Sequence, residues 1–339
     1  MHEGTDKPGA RRDGATGLTR GAEGPSNARP VVDGRYVLER ALSQGAMSIV
    51  AAAHHVKGRV PVAIKYLNPE HVRDPVISAR FKREAAALWK SQSEHVVRLL
   101  DVGYAPSLGP YIVMERLPGK DLAQLVAEAP LGPDRALSYV IQACRALAVA
   151  HTAGVVHHDI KPENMLLAGT GENEAVKLID FGISEDAAHP PAAGGDWIVG
   201  TPAYMSPERL TGESLADPRS DIWSLGVTLH ELATGRQPFS GASDAELCQR
   251  IASGHAPDLV KDTRLLPRAM RDVVWSCVRP DPAQRYQRVD ELLHTLSEPS
   301  TNRKLRGQVT GTFRRSLLGR AMIDRCGERL REHGKKRPK

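Results

Sequence analysis

A lysine and a glutamate in this chain stand where apolar side chains are expected. The run Val60-Pro61-Val62-Ala63-Ile64 continues into Lys65, and strand alternation puts Lys65 on the face of Ala63 and Leu67, opposite Val60, Val62 and Ile64. On the helix read over residues 78–90, Phe81, Ala85 and Leu88 form the apolar stripe, and Glu84 falls on it. Buried charges are costly unless paired, so an inward ammonium and an inward carboxylate can meet. The alternative is a snorkelling lysine stem and a glutamate at the edge of the stripe. A second group is rich in oxygen: His157-His158-Asp159-Ile160-Lys161-Pro162-Glu163-Asn164, then Val176-Lys177-Leu178-Ile179-Asp180-Phe181-Gly182, a strand ending in an acid and a chain-bending glycine. Asp159, Asn164 and Asp180 thus fall on short loops between apolar strands, where convergent oxygens can hold a hard cation such as Mg2+. Taken singly, each is also ordinary turn chemistry.

The elements that must carry these groups change character along the chain. From about residue 36 to 117, short β-branched runs (Tyr36-Val37-Leu38, Ile49-Val50, the run before Lys65, Tyr111-Ile112-Val113-Met114) read as strands, interrupted by one helix. From about residue 121 the helical period takes over, with Leu137, Val140, Cys144, Leu147 and His151 on one face. The order is a small β-rich lobe followed by a larger helical one.

Composition excludes several classes. The 339 residues are 41% hydrophobic and 25% charged, so most of the chain can build a core, and wholesale disorder and fibrous repeats are excluded. No run approaches the roughly 18 apolar residues of a membrane span and no signal peptide is evident, so the expected address is cytoplasmic. Cys144, Cys248, Cys277 and Cys326 show no CxxC spacing, which argues against a zinc site or a disulfide framework. Residues 1–34 read as a disordered leader. Residues 299–339 form a basic tail: from 300 onward it has 13 Lys+Arg against 3 acids, which accounts for the +6 net charge of the whole.

In order along the chain come Val62-Ala63-Ile64-Lys65, Glu84, His157-His158-Asp159 with Lys161 and Asn164, Asp180-Phe181-Gly182, Gly200-Thr201-Pro202, Ser206-Pro207-Glu208, Asp221-Ile222-Trp223-Ser224-Leu225-Gly226 and Arg285. Over residues 36–296 this series resembles the protein kinases, in particular the eukaryotic-type Ser/Thr kinases of bacteria. The resemblance implies an α+β, two-lobed protein-kinase fold over residues 35–298, with a β-rich N-lobe (35–117), a helical C-lobe (118–298) and an ATP site between them. It implies transfer of the ATP γ-phosphate to Ser/Thr hydroxyls of protein substrates.

Roles follow residue by residue. Lys65 would hold the α and β phosphates and be oriented by Glu84. Asp180 and Asn164 would bind Mg2+, with Mn2+ as the alternative ion. Asp159 would accept the proton of the substrate hydroxyl, and Lys161 would neutralise the transferring group. Adenine would lie between Val50 and Ala63 above and Leu166 below, beside a segment carrying Met114, Glu115 and Leu117 whose backbone can hydrogen-bond the base; Leu42, Gly45 and Asp121 complete the nucleotide contacts. Asp221 and the pair Glu208 and Arg285 would be structural. Lys161 and Thr201 resemble the Ser/Thr-directed branch.

Three features depart from the family pattern. The glycine-rich loop G-x-G-x-x-G-x-V is replaced by Ser43-Gln44-Gly45-Ala46-Met47-Ser48-Ile49-Val50. Serine tolerates positive φ poorly, so weakened ATP binding is expected. His158 stands where the family has an arginine that pairs with a phosphorylated activation loop. Between residues 183 and 200 the only hydroxyl is Ser184, and Trp197 stands where an acceptor threonine is common. A kinase not switched by activation-loop phosphorylation is expected. In the tail, Phe313, Leu317, Ala321 and Leu318, Met322, Cys326, Leu330 form an imperfect amphipathic stripe. It could meet an anionic surface or a regulatory partner, or could simply be solvated; nucleic acid is not an expected partner, and Ser316 is a candidate autophosphorylation site. Two other classes share the fold: a pseudokinase acting as a binding or scaffold module, and a small-molecule kinase, against which Gly200-Thr201-Pro202 through Glu208 argues.

Overall fold

The computed structural model describes residues 29–169, 171–181, 201–213, 217–256 and 265–298. Most of the leader, the glycine at 182, the segment holding Ser184 and Trp197, Gly200, and the basic tail lie outside the described residues.

The first part of the chain is a six-stranded antiparallel sheet in the order β1-β2-β3-β4-β6-β5, with β1 (Val31–Val32), β2 (Tyr36–Gln44), β3 (Ser48–His55), β4 (Pro61–Leu67), β5 (Leu99–Ala105) and β6 (Gly109–Glu115). The expected leader boundary at residue 34 is corrected: Val31 and Val32 pair with Val37 and Tyr36, and Val32 is buried. Arg35 secures this edge, donating to Asp101 at 2.6 Å and to the Tyr111 hydroxyl at 2.7 Å. The β4 strand begins one residue later than read, leaving Val60 exposed.

Alternation along β4 divides two cores. Val62 and Ile64 join Tyr36, Tyr111 and Val113 on one face, whereas Leu67 joins the main core with Phe81 and Leu88 of α1 (Pro75–Lys90). The α1 helix starts where its sequence dictates: Asp74 accepts from the amides of Val76 and Ile77, and Pro75 occupies the first helical turn, three residues earlier than the apolar period alone showed.

The second part is helical. Its helices are α2 (Leu122–Glu128), α3 (Gly132–Thr152), the short α4 (Pro207–Leu210), α5 (Arg219–Thr234), α6 (Asp244–Ser253), α7 (Arg268–Cys277) and α8 (Val289–Ser297). Leu137, Val140, Cys144 and Leu147 of α3 are fully buried, and α3 packs on α5 and α8. The α5 helix is buried around nearly its whole circumference, with Trp223 stacked on Phe239, as befits a helix at the centre of a lobe. Between α3 and α4 runs the hairpin β7 (Met165–Ala168) and β8 (Ala175–Leu178), shorter than the strand read through Asp180. Leu178 exchanges backbone hydrogen bonds with His95 and Val97, which fastens this hairpin to the segment after α1 and so joins the two lobes. Gly119, in the connection from β6 to α2, lies against the carbonyl of Leu167 so closely that any Cβ would collide with it.

Candidate active site

Lys65 on β4 and Glu84 on α1 face each other across the core boundary, as their two periodicities predict. Lys65 Nζ donates to Glu84 Oε1 at 2.6 Å, and also to Asp180 Oδ1 at 2.7 Å. The snorkelling alternative is thereby excluded, since the Lys65 and Glu84 side chains are both buried. Burial opposes the ammonium, yet Asp180 and Glu84 outweigh it and raise the Lys65 pKa above its ordinary value. Burial works against the Asp180 carboxylate too, and Lys65 reverses it, holding the Asp180 pKa below the usual range. Burial and the neighbouring Asp180 raise the Glu84 pKa against the pull of Lys65, so one ammonium is shared by two carboxylates of which Glu84 is the more easily protonated.

The loop between α3 and β7 supplies the second cluster. Lys161 Nζ lies 2.8 Å from Asp159 Oδ2 and donates to Thr201 Oγ1 at 3.2 Å. Asn164 Nδ2 donates to Asp159 Oδ2 at 2.7 Å and to the Asp159 carbonyl at 2.8 Å, so the amide oxygen is the remaining acceptor of Asn164. Ile179 N–H donates to the Asn164 carbonyl at 3.0 Å, which sets the Asp159 and Asp180 loops side by side. Among the described residues Asp180 Oδ2 carries no hydrogen bond, and the Asp180 side chain is 36% exposed against 8% for Lys65.

His157 is a residue whose role the sequence reading left unassigned. Its Nε2 lies 3.1 Å from the Ile179 carbonyl, which can only accept, so Nε2 carries the proton and Nδ1 accepts from Asp159 N–H. Burial lowers the His157 pKa and keeps the ring neutral, and the ring packs on the fully buried Phe181. The imidazole therefore couples the backbones on either side of the site. In the sequence it stood only as a member of the series His157-His158-Asp159, with no role of its own.

Asp221, buried at the start of α5, accepts from the amides of His157 and His158 at 2.9 and 2.8 Å and from His151 Nε2 at 2.9 Å. Burial alone would raise its pKa; the His151 hydrogen bond and the surrounding imidazoles instead hold it well below the carboxylate range. Backbone strain concentrates here as well: His158 has φ 64° and Asp180 φ 58°, two of four non-glycine residues in the left-handed region among the described residues. His158 is buried, with Nδ1 near Ser220 Oγ, and burial drives its pKa down to about 3.

The expected adenine-side residues are distributed unevenly. Val50 lies opposite Lys65 on the neighbouring strand, Ala63 is buried two residues before Lys65, and Leu166 pairs with Asp121. Asp121 caps α2 by accepting from Gln124 N–H. Met114 corrects the expectation of a free backbone: it is paired with Ala63 on one side and Leu99 on the other, and its side chain is buried. Glu115 N–H donates to the Arg98 carbonyl, and its carboxylate takes Lys177 and the Arg98 amide. Leu117 enters no backbone hydrogen bond among the described residues, so it is the member of this segment with its amide and carbonyl to offer. Leu42 and Gly45 are exposed. Neither Ser43 nor Ser48 has positive φ, which corrects the expected backbone strain: both serines lie in strands, Ser43 beside a register shift.

Residues 36–296 match the protein kinase domain family. The chain is 36% identical to a probable serine/threonine-protein kinase of Corynebacterium efficiens over 82% of this chain and 44% of that protein. It is 34% identical to serine/threonine-protein kinase PknB of Mycobacterium tuberculosis over 87% of this chain and 48% of that protein. A probable serine/threonine-protein kinase of Clostridium perfringens matches at 33% identity over 79% of this chain and 38% of its own length. The chain thus spans less than half the length of these relatives.

Proposed function

Since the chain belongs to the protein kinase family, whose members use ATP and a divalent cation, we propose that it is a Ser/Thr protein kinase transferring the ATP γ-phosphate to protein hydroxyls in cytoplasmic signalling. The observation that carries this reading is the single buried ammonium of Lys65 shared by the carboxylates of Glu84 and Asp180. A purely structural cluster gains nothing from an unbalanced buried charge, whereas a site for a cation and a polyphosphate uses it.

The oxygens present fit a metal ion. Asp180 Oδ2 and the Asn164 amide oxygen are uncommitted, and among the described residues no group of three His, Cys, Asp or Glu could cage a metal alone. Such a pair suits Mg2+, which is commonly held by one or two carboxylates together with substrate phosphates, and Mn2+ takes the same oxygen donors. When bound, the ion offsets phosphate charge. Lys65 binds the α and β phosphates, with Glu84 fixing its ammonium. Asp159, oriented by Asn164 and Lys161, accepts the proton of the incoming hydroxyl, and the Lys161 ammonium lies beside the transferring group. Leu117 offers backbone groups to adenine, while Leu42, Gly45, Val50, Ala63, Met114, Glu115, Asp121 and Leu166 form the surrounding walls.

His158 supports control that does not depend on activation-segment phosphorylation. A neutral, buried imidazole cannot clamp a phosphate dianion. Free Cys144, Cys248 and Cys277 are in keeping with a reducing compartment, and no helix of the described residues is long and apolar enough to cross a membrane. The pseudokinase reading is not favoured, because the chain carries the charged residues that the transfer needs: Lys65, Glu84, Asp159, Lys161 and Asp180.

The test is transfer of labelled γ-phosphate from Mg·ATP to the chain itself and to a generic basic protein. Activity should fall by a factor of about 10³ or more in Asp159→Asn and Lys65→Ala. A folded wild-type protein that transfers nothing overturns the reading.

A further inference from the structure

The turn between β2 and β3 has lost two of the glycines expected there, yet it is firmly held. Gly45 N–H donates to the Ser48 carbonyl at 2.9 Å and closes the hairpin. The end of β4 grips the same turn from behind. Asn68 N–H donates to the Met47 carbonyl at 2.9 Å, and Asn68 Nδ2 donates to the Ala46 carbonyl at 2.8 Å and the Gly45 carbonyl at 3.1 Å. His71 Nε2 lies 3.2 Å from the Ala46 carbonyl and donates to it as well. Three consecutive carbonyls are thereby aimed at one side.

Peptide planarity fixes what the other side presents. In a trans peptide the N–H of residue i+1 points opposite to the C=O of residue i, so directing the carbonyls of Gly45 and Ala46 at Asn68 turns the amides of Ala46 and Met47 away from it. Neither amide donates a hydrogen bond among the described residues. Successive outward amides make an anion-binding concavity. A Cβ built on Gly45 would meet only the Ser48 carbonyl, at 3.6 Å, so the protein itself does not require glycine there.

Asn68 is not explained by local stability. It stands at the N-cap of the turn Pro69–His71, the position where an Asn side chain usually caps, yet it makes no cap hydrogen bond. It is buried, and its Oδ1 has no partner, an arrangement that costs folding free energy. The side chain is committed to the turn at the expense of its own satisfaction.

We propose that Asn68, with His71 beside it, is a positioning residue that substitutes for the missing glycines by holding the β2–β3 turn with its amides toward the nucleotide phosphates. The inference rests on the kinase reading above. Asn68→Asp keeps the shape but removes the donor and sets a carboxylate against two carbonyls; Asn68→Ala removes the side-chain tether. In Asn68→Asp the KM for ATP rises about tenfold, equivalent to about 1.4 kcal/mol, while kcat changes less than twofold. In Asn68→Ala the KM rises about threefold with the melting temperature at or above that of wild type, because the unpartnered Oδ1 is gone. Hydrogen exchange of the amides at 44–48 in the nucleotide-free protein quickens in both variants. Unchanged KM and exchange overturn the proposal, as does a joint fall of kcat and melting temperature, which marks a structural role. Absence of transfer by the wild-type protein instead overturns the kinase reading, and exchange of the nucleotide-free protein then still decides whether Asn68 tethers the turn.

Discussion

The molecule contains two buried ionic centres built from similar parts. Arg285 and Glu208 form a bidentate pair at 2.8 and 2.7 Å. The guanidinium also donates to the carbonyls of Arg279, Arg219 and Pro280 and lies over the Trp223 ring. Charge is balanced there and donors are saturated. At the other centre Lys65 serves two carboxylates, and Asp180 Oδ2 has no hydrogen-bond partner among the described residues. Saturation marks the centre that locks α4 to the end of the helical lobe; imbalance is what the proposed nucleotide and metal site would use.

Breaking the saturated centre has the largest expected effect. Glu208→Gln leaves the Arg285 guanidinium buried without its counter-charge and should destabilise the protein by about 3–5 kcal/mol, read by urea unfolding. An equally large stability loss on neutralising Glu84 would erase the contrast. Glu84→Gln instead leaves Lys65 paired with Asp180, so the stability loss should be clearly smaller than that of Glu208→Gln while phosphoryl transfer falls about 10- to 100-fold through misplacement of the ammonium. Steady-state kinetics beside thermal melting separates the two.

His158 offers a subtler probe, since it is buried and contributes no charge. Its folded pKa is depressed to about 3 by burial, whereas in the unfolded chain it titrates near 6.5. The unfolded state therefore binds its proton first, so stability is complete above pH about 6.5 and declines as pH falls toward 3. Between pH 7 and pH 5 the wild type should lose about 2 kcal/mol more than His158→Gln. Equal slopes would show that the ring gains solvent before it titrates.

Much of the site was legible because each part obeys a local rule. Period two on β4 turned Lys65 inward, and period 3.6 on α1 did the same for Glu84; two charges on opposed apolar faces have few alternatives to pairing. The acids and amide at 159, 164 and 180 announced themselves as oxygens between apolar strands. The Asp180 contact with Lys65 was not legible in this way, because it spans 115 residues and depends on how the β7–β8 hairpin is fastened behind α1. Met114 looked available until the sheet order placed β6 between β4 and β5, which uses both edges of its backbone. The serines of the depleted loop looked strained, but strand pairing carries them in ordinary extended backbone.

The sequence by itself determined the two lobes, the inward charges and the loops that bear the oxygens, because these follow from periodicity and turn chemistry along one element at a time. Only the tertiary structure decided that the ammonium has two carboxylates, that His157 joins the backbones flanking the site, and that the amide of Asn68 is committed to a turn some twenty residues earlier. Those choices depend on which polar groups from distant segments come within hydrogen-bond reach once the chain closes, and a hydrogen bond lost over a few tenths of an ångström leaves no trace in local pattern.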